Sequence, residues 1–317
     1  MNKDPFKEYI KESEPNKRDK GYAWHTAIGL QTVDGLKTSE YLMNTALRNI
    51  EGEISFEEAN TLLQTYYEEN PSCDASDRTE EADKVSARIA ALLSERAFSF
   101  TPNEYLSIHR KLFAGIYSHA GCIRDYNITK KEWVLNGATV LYGSATELRT
   151  TLDYDFSEEK TFSYKNLSMD EIIHHLAMFV AGLWQIHVFG EGNTRTTAVF
   201  FIKYLRTLGF DVTNDIFAEN AWYFRNSLVR ANRVPSSTPI RMDETQLLGF
   251  VQRTTKLSQA PFHHCAACAE RRSCLSADVV ACLDREWMHV RDTRKRRVES
   301  VPEAGLCENF LSSPANR

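Results

Sequence analysis

No run of this 317-residue chain is apolar for long enough to cross a bilayer, so no membrane span is expected. The first residues, MNKDPFKEYIKESEPNKRDK, lack the apolar core of a secretory leader, and a cytoplasmic location is the expectation. A net charge of −5 lacks the basic excess that a general binder of nucleic acid or anionic membrane needs, so neither is an expected partner. Up to Asn232 there are only two cysteines, Cys73 and Cys122, far apart, which argues against a disulfide framework there. Nor is there an internal repeat.

Other absences are local. Tyrosine does not occur after Tyr223. Lysine almost disappears: 13 Lys and 12 Arg precede Arg233, against 2 Lys and 11 Arg from Arg233 on. Five of the seven cysteines lie in that same tail. So abrupt a change separates 233–317 from the rest as an atypical Cys/Arg-containing tail, expected to be poorly ordered and explicable as a frameshifted or foreign reading frame. His263, His264, Cys265, Cys268 and Cys274 are potential zinc ligands, with Cys282 and His289 as loose additions. Only Cys265-x-x-Cys268 has a good spacing, where a zinc site normally shows two such pairs. The run Arg294–Arg297 reads as a solvated charge cluster.

What is present before Arg233 is mostly helical pattern. Tyr41 to Ile50 reads as a short helix ended by Gly52. Ser55 with Glu58 forms a capping box that opens a second helix through Tyr67. Further amphipathic helices are expected over Asp77–Ala97 and Thr101–Tyr117, the latter opened by Thr101-Pro102. Two short β-rich runs flank Asn136-Gly137 within Glu132–Tyr142, which predicts a hairpin. Ser168 with Glu171 caps the next helix, whose apolar residues Ile172, Leu176, Phe179, Leu183 and Ile186 share one face. Ile173, Val180 and Trp184 widen that face, so the helix is central. It ends at His187; others are expected over Asn193–Leu208 and Phe217–Ala231.

The segment His187–Ala198, HVFGEGNTRTTA, joins two of these helices. His187 is held at the end of a buried helix, and imidazole is suited to accept a proton near neutral pH. Glu191 is a loop carboxylate able to hold a hard cation such as Mg2+. Gly190 and Gly192 let backbone approach a ligand closely. Asn193 and Thr194 open the next helix, whose first N–H groups form an anion site. Arg195 adds a forked cation suited to phosphate. Each feature alone is more often a cap or a core residue. Together, a base, a carboxylate, an anion hole and an arginine within nine residues describe phosphoryl or nucleotidyl transfer.

His187–Arg195 resembles the signature of the Fic (Fido) family, H-P-F-x-(D/E)-G-N-G-R-x-x-R, at His187, Phe189, Glu191, Gly192, Asn193 and Arg195. Gly121–Arg124, followed by Lys131–Leu135, is similar to the stretch leading into that family's hairpin flap, and Arg225–Leu228 resembles its final core helix. The resemblance implies a mainly α fold: a Fic-type helical core over 101–232 with a small β-hairpin flap, after an N-terminal helical region over 1–100. It also implies transfer of AMP from ATP, with Mg2+, to a Ser, Thr or Tyr hydroxyl of a target protein, self-modification included. His187 would be the base and Glu191 the metal ligand. Gly190, Gly192, Asn193, Thr194 and Arg195 would bind phosphate. Trp133, Val134, Leu135, Val140 and Leu141 would dock an extended target segment as an added strand.

Three positions depart from the signature. Val188 stands for proline, Thr194 for glycine and Ala198 for the second arginine, which in the family contacts the γ-phosphate or an inhibitory glutamate. AMP removal, transfer of another phosphate-linked group, or nucleotide binding without catalysis are the alternatives. Asn49-Ile50-Glu51-Gly52 partly resembles the family's inhibitory motif, (S/T)-x-x-x-E-(G/N), with Leu47 where Ser or Thr would stand. Glu51 is accordingly expected to point at the nucleotide site, against the alternative of an exposed helix end.

Overall fold

The computed structural model describes residues 15–72, 74, 76–210, 212, 215–233 and 245–254. The suggested zinc ligands and the Arg294–Arg297 run lie outside them. Mainly helical architecture is what these residues show: α1 (Pro15–Gly29), α2 (Glu40–Glu51), α3 (Phe56–Glu69), α4 (Thr79–Ser94), α5 (Pro102–Phe113), α6 (Leu148–Thr161), α7 (Met169–Ile186), α8 (Asn193–Thr207), α9 (Asp215–Glu219), α10 (Ala221–Ala231) and α11 (Thr245–Thr254). Two 3-10 turns, Leu30–Asp34 and Trp133–Leu135, complete the set.

Helix starts fall where the cap residues put them. Ser55 and Glu58 bond reciprocally at the start of α3, as do Ser168 and Glu171 at the start of α7, and Thr101 accepts from the Glu104 N–H ahead of Pro102. α7 is the central element, packing against α6, α8, α10 and α11. Beside it, Phe100, Tyr105, Phe156, Phe179, Phe200 and Tyr204 form one aromatic cluster, with Phe100 to Phe156 at 4.9 Å and Phe100 to Tyr204 at 4.4 Å. Each such ring stabilises by roughly 1.5–3 kcal/mol through burial. α8 is buried along almost its whole length and packs on α4 and α5.

α1 and α6 have no counterpart in the sequence reading. α1 buries Ala23, Trp24, His25, Thr26 and Ala27 in succession, so polar and apolar residues face inward together and no apolar stripe marks the helix. It packs on α4, and Trp24 Nε1 donates to Asn49 Oδ1 at 3.0 Å.

The hairpin is reduced to isolated bridges. Lys131 pairs with Thr139 in antiparallel fashion, and Asn136 and Gly137 both take positive φ (55° and 87°). The Leu135 and Asn136 N–H groups, however, bond back to Glu132 O and Trp133 O at 3.0 Å. These local bonds coil Trp133–Leu135 into a 3-10 turn where a strand was expected. Val140 pairs with Arg233 instead, just past α10.

Within the stretch 233–317, α11 is a packed helix: Phe250 meets Phe217 and Phe224 at 4.9 Å each, with Leu247 and Val251 buried beside it.

Candidate active site

His187 sits at the C-cap of α7 in the left-handed region, φ 52° and ψ 56°. That conformation costs a non-glycine residue roughly 1–2 kcal/mol, so something must hold it. Arg124 does. Its Nε donates to His187 O at 2.7 Å and one terminal nitrogen donates to Gly143 O at 2.5 Å, while the other bonds Tyr126 O. A buried cation at the carbonyl end of α7 is favourable electrostatically as well. The His187 ring lies 4.3 Å from the Tyr142 ring and edge-on to Trp184. It is only 4% exposed, and neither ring nitrogen has a hydrogen-bond partner. Burial, then the nearby Lys130 charge, holds its pKa well below the usual histidine range, so the ring is neutral at pH 7 and its protonation is opposed until an anion enters.

The loop after His187 is built by its own side chains and by α5. Asn193 Nδ2 donates to Phe189 O at 2.7 Å, and its Oδ1 accepts from the Phe189 N–H at 3.0 Å, closing the loop into a ring. His109 stacks on Phe189 at 3.7 Å. Its Nδ1 accepts from the Gly121 N–H at 2.8 Å, which leaves Nε2 to carry the proton toward Glu191 O at 3.1 Å. Burial pushes the His109 pKa down to about 4, consistent with that neutral tautomer. Glycine is required at Gly192 (φ 72°), where a Cβ would lie 2.4 Å from the buried Phe113 ring; at Gly190 a Cβ would lie 2.6 Å from the hydroxyl of exposed Tyr126, which would have to shift.

Gly192 is the N-cap of α8, and no side chain caps that end. The first intrahelical bond there runs from the Thr196 N–H to Gly192 O, so the Asn193, Thr194 and Arg195 N–H groups precede the helical ladder. Gly192, Asn193 and Thr194 line a cavity of about 50 Å3 together with His187, Glu191 and Lys130, and with Asp34, Glu132, Tyr142, Trp184 and Arg225. Glu191 is exposed at its edge. The Thr194 hydroxyl accepts from Trp184 Nε1 at 3.0 Å, which ties the start of α8 to the end of α7. Glu132 is buried, accepts from Tyr142 at 3.2 Å, and is gripped through both oxygens by Arg225 at 2.8 and 3.0 Å.

Arg195 is placed differently from the sequence expectation. It is fully buried and is not a wall of this cavity. Its Nε pairs with Asp34 at 2.8 Å, and its terminal nitrogens donate to Gln31 at 2.9 Å, Glu81 at 2.7 Å and the Tyr117 hydroxyl at 3.1 Å. Its guanidinium stands 4.8 Å from the Phe113 ring. Burial works against its charge, but Asp34, Tyr117 and Glu81 outweigh that and hold its pKa above the usual value. Ala198 is buried inside α8.

Glu51 lies apart from the cavity. The buried residues of α2 are Leu42, Thr45, Ala46, Asn49 and Ile50, and the next position turns to solvent, where Glu51 meets Lys17 at 2.8 Å. The expectation that it points at the nucleotide site is corrected: the N-terminal carboxylate that lines the cavity is Asp34. Of the residues expected to dock a target, Trp133 is 67% and Leu141 46% exposed, Val134 and Leu135 are half-buried, and Val140 is buried. Sequence reasoning missed Asp34, Lys130, Glu132 and Arg225, since residues separated by tens of positions carry no spacing signal. His109 had a faint one, a lone histidine on the apolar face of α5.

Residues 99–205, from just before α5 to the end of α8, match the model of the Fic/DOC family. The matched segment contains His187 and the loop into α8. Among solved structures, the chain is similar to the N-terminal Fic domain of Bep8, a VirB-translocated effector of Bartonella sp. 1-1C (18% identity, TM-score 0.43, 54% of this chain and 81% of that one). It is also similar to the N-terminal Fic domain of a Bartonella effector protein from Bartonella sp. AR 15-3 (16% identity, TM-score 0.43, 62% and 83%). No curated protein matches the sequence. No helix among the described residues is long and apolar enough to cross a membrane.

Proposed function

We propose that this protein transfers AMP from ATP to a Ser, Thr or Tyr hydroxyl of a target protein. The observation that carries the reading is His187: buried, neutral, with both ring nitrogens unpartnered, in one cavity with the uncapped start of α8. A target hydroxyl oxygen would attack the α-phosphorus and give its proton to His187. The bond from that phosphorus to the bridging oxygen would break, and pyrophosphate would leave. The α8 N–H groups would face the phosphate charge as it redistributes.

Glu191 fits a Mg2+ role. It is an exposed carboxylate on the cavity edge, and one carboxylate with substrate phosphates is a usual Mg2+ donor set. Mg2+ held there would offset phosphate charge during transfer. Trp133 and Leu141 would offer apolar side chains to the target segment.

A second reading has its own support. Arg195 is committed to Asp34 and Glu81, and Ala198 brings no charge, so no motif arginine is left for a γ-phosphate. That favours a donor with fewer phosphates, hence transfer of another phosphate-linked group. Incubation with Mg2+, a cell lysate and ATP labelled on its α-phosphate tests the first reading. Label on the chain itself or on a lysate protein, lost in His187→Ala, is the expected result. Absence of label from the folded wild-type chain would turn the assignment to diphosphate-linked donors.

A further inference from the structure

With Arg195 withdrawn, the anion site needs another cation, and the cavity contains two. Arg225 is one, but both oxygens of buried Glu132 engage it. The other is Lys130, which shares the cavity wall with Asp34, Glu132 and Glu191; Asp34 is paired with Arg195 and Glu132 with Arg225, and among the described residues Lys130 has no ion pair and no side-chain hydrogen bond. The next two residues anchor its backbone, because Lys131 bridges to Thr139 and the Glu132 N–H bonds Ala138 O at 2.9 Å. The side chain is half-buried, so an ammonium on a four-carbon stem has water on one side and the cavity on the other.

We propose that Lys130 is the residue that takes the phosphate charge of the donor in this site, in place of the motif arginine. The inference rests on the transfer reading above and names its positioning cation. An anion at the start of α8 would be held from the helix side by the Asn193 and Thr194 N–H groups and from the flap side by Lys130. Arg225 stays with Glu132, and Arg195 stays with Asp34 and Glu81. The arrangement also links donor binding to the base. Lys130 disfavours a second positive charge on His187. A phosphate that neutralises Lys130 removes that opposition, so His187 accepts a proton more readily once the donor is in place.

The test compares the intact chain with Lys130→Ala and Lys130→Arg. Equilibrium binding of Mg-ATP and of inorganic pyrophosphate is measured, with the KM and kcat of α-phosphate labelling. Lys130→Ala should weaken both ligands by about tenfold or more, the loss expected for one charge-assisted hydrogen bond. It should raise KM more than it lowers kcat, and Lys130→Arg should recover most of the binding. Unchanged Mg-ATP binding in Lys130→Ala, with labelling intact, would overturn the role of Lys130 and leave the transfer reading standing. If the wild-type chain neither labels nor binds ATP, the transfer reading fails. Pyrophosphate binding lost in Lys130→Ala and restored by Lys130→Arg would then still support Lys130 as the anion cation, and no pyrophosphate binding at all would overturn it.

Discussion

Arg195 shows how one side chain can keep a motif's identity and change its work. Its terminal nitrogens donate to Gln31, Glu81 and the Tyr117 hydroxyl, and its Nε forms an ion pair with Asp34, at zero exposure. Burial alone would push the Glu81 carboxylate toward its neutral form; hydrogen bonds from Arg78 and Tyr117, with Arg195 beside them, hold its pKa below the usual value instead. Removing the guanidinium leaves Asp34 without its counter-charge and Glu81 with Arg78 alone, and breaking a buried pair costs at most about 3–5 kcal/mol. Arg195→Ala should therefore lower the unfolding free energy read from urea denaturation by up to that amount, with a lower midpoint. Arg195→Lys should recover only part of it, since one ammonium cannot serve four acceptors placed around a plane. An Arg195→Ala midpoint equal to that of the wild type would show that the buried network contributes no net stability.

Among the elements, the turn Leu30–Asp34 has the most direct bearing on the site. It comes directly after α1, contributes Gln31 and Asp34 to the Arg195 network, and brings the Asp34 carboxylate to the cavity wall. Pockets that hold drug-sized ligands run to roughly 300–1,000 Å3, against about 50 Å3 here, so entry of a nucleotide requires a neighbouring element to yield. Asp34→Asn removes a negative charge from the wall and should tighten Mg-ATP binding several-fold, measured by titration, with a loss of stability near 1 kcal/mol. Equal affinity in wild type and variant would show that Asp34 does not oppose the donor.

Neither that turn's role nor α1 was legible in the sequence. The helices from α2 through α5, with α7, α8 and α10, were legible, because apolar spacing and caps such as Ser55-Glu58 and Ser168-Glu171 are local signals. The motif loop was legible because its parts are consecutive. The meeting of Asp34, Lys130, Glu132 and Arg225 around His187 is a product of tertiary packing. The hairpin failed for a related reason: Asn136-Gly137 turned as expected, but Glu132 O and Trp133 O captured the N–H groups that a ladder would have used.

For the whole molecule, two buried neutral histidines set a pH dependence. The folded pKa values of His109 and His187 both lie below the unfolded value, His109 at about 4. Below pH ~6.5 the unfolded chain binds protons that the folded chain refuses, so stability is complete above that pH and falls as the pH drops through it. His109 alone accounts for a loss on the order of 3 kcal/mol by pH 4. Urea denaturation at pH 7 and pH 4 should show this loss, and His109→Gln, though less stable at pH 7, should have a shallower slope. Parallel slopes would mean that His109 is protonated in the folded state without penalty.

The ion network around Arg195 also bears on where this protein can be cut. Its two carboxylates, Asp34 and Glu81, come from outside the segment 99–205, and its cation comes from inside it. Expressed by itself, that segment would carry this guanidinium against Phe113 without either anion that meets it in the whole chain. The portion outlined by family likeness is therefore smaller than the autonomous folding unit, whose border on the N-terminal side must reach back past Asp34.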